Sequence, residues 1–573
     1  MERELTGRAI ASGFVLLLLT WVCAGGRWSV PARAADDANQ EECIPVRNPL
    51  VIERCSPCHQ RDDRGCLTRI SSQRRTPEGW EAAIKRMVRL NGLSLAPDDA
   101  RQIVKYLSNH HGLAPEEARP AFYEAEHRVV NENVPDETVR STCTLCHGLG
   151  RIISQRRTGE EWRLLTNLHI GMFPFVSTQG FYRYSPAPGL PDLPETDHQE
   201  PVDRAVQYFS KTYPLVTPEW QSWRAGMHSP KLEGRWLVSG YRPGKGRVFG
   251  ETTITAGQAE DEFKTACSLV YIKDGSTEAR TGRAIVYGGY SWRERLEGSA
   301  KDDPVRQSLM LSRDWTAMDG RMFWGAYDEF GIDVVLRRIG REPLISGADL
   351  PALRSGASST RLAIYGANLP VDIKASEVDL GAGITVNSLV SATGDKIVVD
   401  VGVDSKAPNG LHAISLRNHV RPDAIAVFDK IDYIKISPGT GLARIGGAKY
   451  PKDYQQFEAI AYNRGPDGEV ETSDDLNLGA VDAQWSIEEF PSGLNDDDKD
   501  FVGSIDEHGL FTPAIEGPNP KRRNSRNNSG DVWIVAALRP GGSSKSESVL
   551  IARAYLLVTF PLYVRWDPST LLR

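Results

Sequence analysis

Long apolar runs are nearly absent from this chain of 573 residues, and so is any excess of positive charge. Its one apolar run, Phe14 to Cys23 behind Arg3 and Arg8, is well short of the roughly 20 residues that cross a bilayer. Ala32-Arg33-Ala34 follows with small residues suited to cleavage, so residues 1–34 read as a signal peptide. An exported, periplasmic protein is expected, with no membrane attachment after cleavage. A formal net charge of -7 gives nucleic acid no basic face to bind. No polybasic amphipathic stretch points to a membrane surface. Also missing are a Ser/His/Asp order, a phosphate-cradling loop and a zinc-hydrolase helix. The acidic loops Asp467–Asp475 and Asp497–Asp500 lack the regular oxygen spacing of a calcium loop and read as solvated turns.

Cysteine is sparse as well, at eight residues, and one of them, Cys23, leaves with the signal. Four of the other seven fall into two motifs, Cys55-Ser56-Pro57-Cys58-His59 and Cys143-Thr144-Leu145-Cys146-His147. Two thiols at this spacing add to the two vinyl groups of a haem, and the adjacent imidazole reaches the iron from one face. The pattern therefore predicts two covalently bound haems c, held by Cys55 and Cys58 and by Cys143 and Cys146, with His59 and His147 as metal ligands. Zinc uses the same residue types and is the minor alternative. Thioredoxin-type exchange fails for want of a βαβ pattern. Cys43 and Cys66 flank the first motif and either pair in an oxidising compartment or stay free. Cys267, within Ala266-Cys267-Ser268-Leu269-Val270-Tyr271, reads as a small hydrophobe buried on a strand.

Each motif opens one copy of an internal repeat. Arg69-Ile70-Ser71-Ser72-Gln73-Arg74-Arg75-Thr76-Pro77-Glu78-Gly79-Trp80 returns as Arg151-Ile152-Ile153-Ser154-Gln155-Arg156-Arg157-Thr158-Gly159-Glu160-Glu161-Trp162. Thr76 and Thr158 read as helix N-caps, Pro77 as a first-turn proline, and Thr158 with Glu161 as a capping box. Seven residues beyond each tryptophan, on the same helix face, stand Met87 and His169. Both side chains bind haem iron, so the expected axial pairs are His59/Met87 and His147/His169. Met172, on nearly the same helix face, is a rival to His169, and His110, His111 and His127 are weaker ones, His110 and His111 being placed to complement the negative end of a helix. A thioether favours ferrous iron more than an imidazole does, so the first haem is expected at the higher potential. Arg74, Arg75, Arg156 and Arg157 are either solvated or paired with haem propionates.

Texture divides the chain. Apolar residues recur at helical spacing up to about Trp220, as in Leu95 to Gly112 and Pro201 to Tyr213. Short alternating runs follow, among them Arg361–Tyr365, Lys396–Val403, Leu411–Leu416, Asp531–Leu538 and Ala552–Phe560, with turn chemistry at Asn409-Gly410 and Asp467-Gly468. The expected fold class is multidomain, α plus all-β. Tandem cytochrome c-like modules (36–118 and 119–223) precede three β domains, a β-barrel (226–339) and two Ig-like β-sandwiches (342–427 and 430–573).

Paired haem motifs, an Arg-Arg-Thr-x-x-x-Trp repeat, Met87 and His169 in matching register and three β units together resemble the alpha subunit of quinohaemoprotein amine dehydrogenase, over nearly the whole chain beyond residue 34. The resemblance implies a heterotrimer that oxidises primary amines to aldehyde and ammonia. It places a cysteine tryptophylquinone in a small gamma subunit beside a β-propeller beta subunit. The alpha subunit would take electrons from that quinone and pass them to a soluble copper protein or cytochrome c. Two other readings compete. A dihaem peroxidase-like enzyme needs one haem with an open position, and a stand-alone dihaem carrier would use its β domains for interaction.

Overall fold

The computed structural model describes residues 42–561, apart from residues 129, 131, 145, 174–175, 177–199, 299–303, 492–496 and 541–547. The expected signal peptide lies outside the described residues. No helix among those described is long and apolar enough to cross a membrane.

Helix starts follow the capping residues. Asn48 accepts from the Val51 N–H at 3.1 Å and opens α1 (Pro49–Cys55) with proline in its first turn. Thr76 opens α2 (Pro77–Asn91) by accepting from the Gly79 N–H, and Gly92 ends it at φ 70°, where a side chain would be strained. α3 (Pro97–His110) closes the first module. Its core is Val46, Val51, Leu67, Trp80, Ile103, Val104 and Leu107, all buried. The Cys43–Cys66 disulfide ties the two ends of the segment carrying the first motif, across a sequence separation of 23.

Two short helices, α4 (Pro115–Ala118) and α5 (Phe122–Ala125), lead to the second module. There α6 (Glu137–Thr142), α7 (Gly150–Ile153), α8 (Gly159–Met172), α9 (Pro201–Thr212) and α10 (Pro218–Gly226) follow. Val139, Ile152, Trp162, Ala205, Val206 and Phe209 form its core, largely the counterparts of the first. Thr158 accepts from the Glu161 N–H as expected. The Thr158 N–H donates to Ser72 O at 3.2 Å, and the Glu161 carboxylate turns to Arg69 and Arg157.

The repeat explains how the modules join. Its two Gln-Arg-Arg tripeptides form β1 (Gln73–Arg75) and β2 (Gln155–Arg157), which pair with each other antiparallel. Arg74 faces Arg156, with Gln73 opposite Arg157 and Arg75 opposite Gln155. A local two-fold axis therefore passes through the Arg74–Arg156 pair. Flanking bonds obey it: Thr76 N–H donates to Ser154 O and Thr158 N–H to Ser72 O.

Eight antiparallel strands then close a barrel: β3 (Gly234–Arg242), β4 (Gly246–Ala256), β5 (Glu262–Tyr271), β6 (Thr277–Tyr287), β7 (Ser291–Glu297), β8 (Val305–Leu311), β9 (Ala317–Trp324) and β10 (Phe330–Arg338), which returns to β3. Strict alternation along β5 sends Phe263, Thr265, Cys267, Leu269 and Tyr271 inward. Cys267 is thus a core residue, and burial pushes its thiol up to about 12. Leu113 and Ala118, from the segment between the modules, belong to the barrel core, and Tyr290 donates its hydroxyl to Leu113 O. Glu78 of α2 meets Arg293 at 2.6 Å, and Lys105 of α3 meets Asp261 at 3.0 Å, so the first module is fastened to the barrel rim.

Two sandwiches complete the chain. One pairs strands 344–348, 360–367, 396–403 and 384–392 against strands 352–354, 419–428, 410–416 and 378–379. The other has a four-stranded sheet (440–444, 550–559, 530–538, 484–489) and two three-stranded ones. Each has its own apolar core.

Candidate functional site

Each Cys-x-x-Cys-His motif continues a helix by one turn. After α1, the N–H groups of Cys58 and His59 both donate to Cys55 O, and after α6 the Cys146 N–H donates to Cys143 O. In each pair the first cysteine is inward and the second is exposed. Burial, reinforced by the neighbouring Cys58, pushes the Cys55 thiol up to about 11, and burial raises Cys143 in the same direction.

The histidines are held by one ring nitrogen. His59 places Nδ1 2.8 Å from Thr68 O, and His147 places Nδ1 2.9 Å from Gly148 O. A carbonyl partner fixes Nδ1 as the protonated nitrogen and leaves the Nε2 lone pair for a metal. Burial holds His147 below its ordinary value, which keeps the ring neutral. His169 repeats the arrangement, its Nδ1 2.8 Å from Leu165 O one turn back in α8.

His147 and His169 face one another with ring centroids 6.4 Å apart and planes 52° to each other. Two imidazoles on opposite sides of one metal, each bonded at about 2 Å, need a separation of roughly that size. Cys143, Cys146, His147 and His169 line one cavity of about 780 Å³, with Trp162, Leu165 and Phe209 as its apolar wall. That volume lies in the roughly 300–1,000 Å³ range of cofactor sites. The residues present therefore fit a haem attached at the second motif.

Met87 is half-buried on α2, and its Sδ stays on its own helix, 3.7 Å from Asn91 Nδ2. The structure thus draws the second ligand pair together and leaves Met87 engaged locally. Met172 is exposed and His110 lies against Tyr106 on the surface, whereas His127 lines the same cavity but pairs with Asp328 at 2.8 Å. His111 is fully buried, and desolvation takes it down to about 3, so it is neutral and does not complement a helix end by charge. Among the described residues the one group of three metal-capable side chains is Cys43, Asp62 and Cys66, whose cysteines form the disulfide.

The four repeated arginines are not solvated as a set. Arg74 is fully buried and donates to Glu117 through both Nη atoms, to Leu215 O at 2.6 Å and to Gly112 O. Arg156 is buried and also meets Glu117, at 3.3 Å. Glu117, held below the usual carboxylate range despite its burial by Arg74 and Arg156, is the hub between the modules. Sequence reasoning missed it because it lies outside both repeats and its partner Arg74 is 43 positions away.

A helical domain with two Cys-x-x-Cys-His motifs, carried on β domains, has the residues of a haem-binding chain. Family profiles make this specific. "Quinohemoprotein amine dehydrogenase A, alpha subunit, haem binding" matches residues 47–185. The alpha-subunit profiles for domains II, III and IV match residues 229–339, 350–429 and 434–571. The chain belongs to the quinohemoprotein amine dehydrogenase alpha-subunit family. No curated protein matches it. Among solved structures, a redesigned β-barrel is similar over 19% of this chain and 92% of its own, at 15% identity and a TM-score of 0.17. Human mucin-like protocadherin EC1-2 covers 39% of this chain and all of its own, at 14% identity and a TM-score of 0.15. Mouse cadherin-23 EC22-24 covers 59% and 90%, at 14% identity and a TM-score of 0.15.

Proposed function

We propose that this chain is the dihaem electron-transfer subunit of a periplasmic amine dehydrogenase. It takes electrons from a cysteine tryptophylquinone on a small gamma subunit, beside a β-propeller beta subunit, after primary amines are oxidised. It passes them to a soluble copper protein or cytochrome c. In this reading the helical modules are cytochrome c-like, the two C-terminal β domains are Ig-like, and residues 1–34 direct export before cleavage. The observation that carries the proposal is the facing of His147 and His169 across 6.4 Å beside Cys143 and Cys146, in the second of two repeated modules.

A haem supplies a one-electron couple that needs no substrate position at the iron. Cys55 and Cys58, and Cys143 and Cys146, would each form two thioether links. His59 and His147 would present Nε2 because Thr68 O and Gly148 O hold Nδ1. His169 would close the second centre from the other side, and a carrier, unlike a peroxidase, would have both centres closed. Met87 would do the same for the first centre and set its potential above the second. Trp162 and Phe209 exclude water from one wall of the cavity.

The test is purification of the native complex, with subunit masses and quinone staining. A small third chain that stains for quinone is expected. A stable complex with no quinone-bearing chain contradicts the proposal.

A further inference from the structure

The two arginines of each Gln-Arg-Arg tripeptide have different duties. Arg74 and Arg156 are committed to Glu117. Arg75 and Arg157 are not. Each donates Nε to the glutamine two residues earlier, Arg75 to Gln73 at 2.8 Å and Arg157 to Gln155 at 2.9 Å. Each also lies against the tryptophan five residues later, 5.9 Å from the Trp80 ring centroid and 5.7 Å from that of Trp162. The local two-fold brings these second arginines into each other's field, and Arg69 and Arg86 add to it.

Glu161 answers this charge, meeting Arg69 at 2.8 Å and Arg157 at 3.2 Å. Four guanidinium groups thus gather about one carboxylate, with Arg157 buried, Arg75 and Arg86 half-buried and Arg69 more exposed. Arg157 is only 2% exposed, and its Nη2 has no hydrogen-bond partner. Desolvation and the neighbouring guanidinium groups pull both Arg75 and Arg157 below the ordinary arginine value. A buried guanidinium N–H left unpaired is costly, and the planar fork suits a carboxylate. The cluster is short of anions. Arg75 and Arg86 also line the cavity that holds Cys143, Cys146, His147 and His169, although both belong to the first module.

We propose that Arg75 and Arg157, with Arg69 and Arg86, form a shared carboxylate-binding site that receives propionates from both haems, with the arginines crossed between modules. Arg75 serves the haem at Cys143 and Cys146, and Arg157, related by the local two-fold, serves the haem at Cys55 and Cys58. The inference rests on the two-haem reading above. It goes beyond that reading by making one charge cluster set both potentials. A cation beside a haem disfavours the ferric state, so its loss lowers the potential.

The experiment is a spectroelectrochemical titration of the full-length holoprotein carrying Arg75→Gln, Arg157→Gln or the matching lysine substitution. Arg157→Gln is expected to shift the reduction equilibrium of the first haem about tenfold toward the oxidised form, equivalent to 59 mV for one electron. The second haem should move less, in the same direction. Arg75→Gln should reverse that ranking, and Arg75→Lys or Arg157→Lys should recover most of each shift. A purely structural role would lower thermal stability and leave both potentials in place. If the buried variants do not fold, Arg69→Gln at the half-exposed Arg69 should still lower both potentials. A shift confined to the haem of the substituted arginine's own module overturns the proposal, as does no shift with both haems bound. Intact mass separates the two levels: a chain without two covalent haems ends the two-haem reading, whereas full haem content with unmoved potentials ends only the shared cluster.

Discussion

In the first helical module Trp80 is followed seven residues later by Met87; in the second, Trp162 is followed by His169. Around that difference the frame is the same. Trp80 donates its Nε1–H to His111 O at 2.9 Å, and Trp162 donates to Tyr213 O at 3.1 Å. The Arg75 N–H meets the same carbonyl as Trp80, and the Arg157 N–H the same carbonyl as Trp162. Thr76 and Thr158 cap the following helices alike. What the pair of modules teaches is that the frame is set by backbone bonds and buried tryptophans. The residue seven positions beyond the tryptophan is left free to change its chemistry.

The comparison breaks most visibly if one module is disarmed. Cys143→Ser with Cys146→Ser should remove one of two covalent haems, halving the haem-to-protein ratio by pyridine haemochrome, while the first module keeps its own. Loss of both would show that the modules do not load independently. Next is the hub that has no repeat counterpart. Glu117→Ala leaves Arg74 and Arg156 buried without their carboxylate, a change expected to cost about 3–5 kcal/mol in denaturant melts. An unchanged midpoint would mean that water replaces Glu117.

How much of this was legible in the sequence follows the range of the forces involved. Capping threonines, first-turn prolines and alternation act within a few residues, and they placed α2, α8 and a strand at Lys396–Val403 where the structure has them. The strand-to-strand pairing of the eight-stranded barrel was not legible, because alternation along a strand is the same whatever its neighbours. Nor was the burial of Arg74, which depends on Glu117 and on the Leu215 carbonyl 141 positions away. The Cys43–Cys66 bond was open in the sequence, since spacing alone does not bring two thiols together. At the second site the register of His169 was readable from the repeat, whereas its Nδ1 anchor on Leu165 O was not.

The disulfide is the first module's own feature and sharpens the contrast. Cys43→Ser with Cys66→Ser should cost about 3 kcal/mol through the freed loop. In limited proteolysis, cleavage should then begin near the first motif; cleavage beginning in the second module would contradict this. The barrel supplies a control outside both modules. Glu294 is fully buried with Thr265 and Trp292 as partners, and burial raises it from 4.5 to about 7. Below 4.5 folded and unfolded states both hold the proton, and between 4.5 and about 7 only the folded state does. Stability therefore falls as pH rises through that window, by up to about 3 kcal/mol. Glu294→Gln should flatten that part of the pH profile, and an unchanged slope would assign it elsewhere. Smallest are the caps: Thr76→Ala and Thr158→Ala should each cost about 1 kcal/mol and by similar amounts. A large inequality in matched melts would show that the two frames are not equivalent.

The most direct measurement is the intact mass of the mature holoprotein followed by peptide mapping. The predicted result is a gain of two haems, one on the peptide holding Cys55 and Cys58 and the other on the peptide holding Cys143 and Cys146. A single haem, or none with metal bound at those thiols instead, would contradict it.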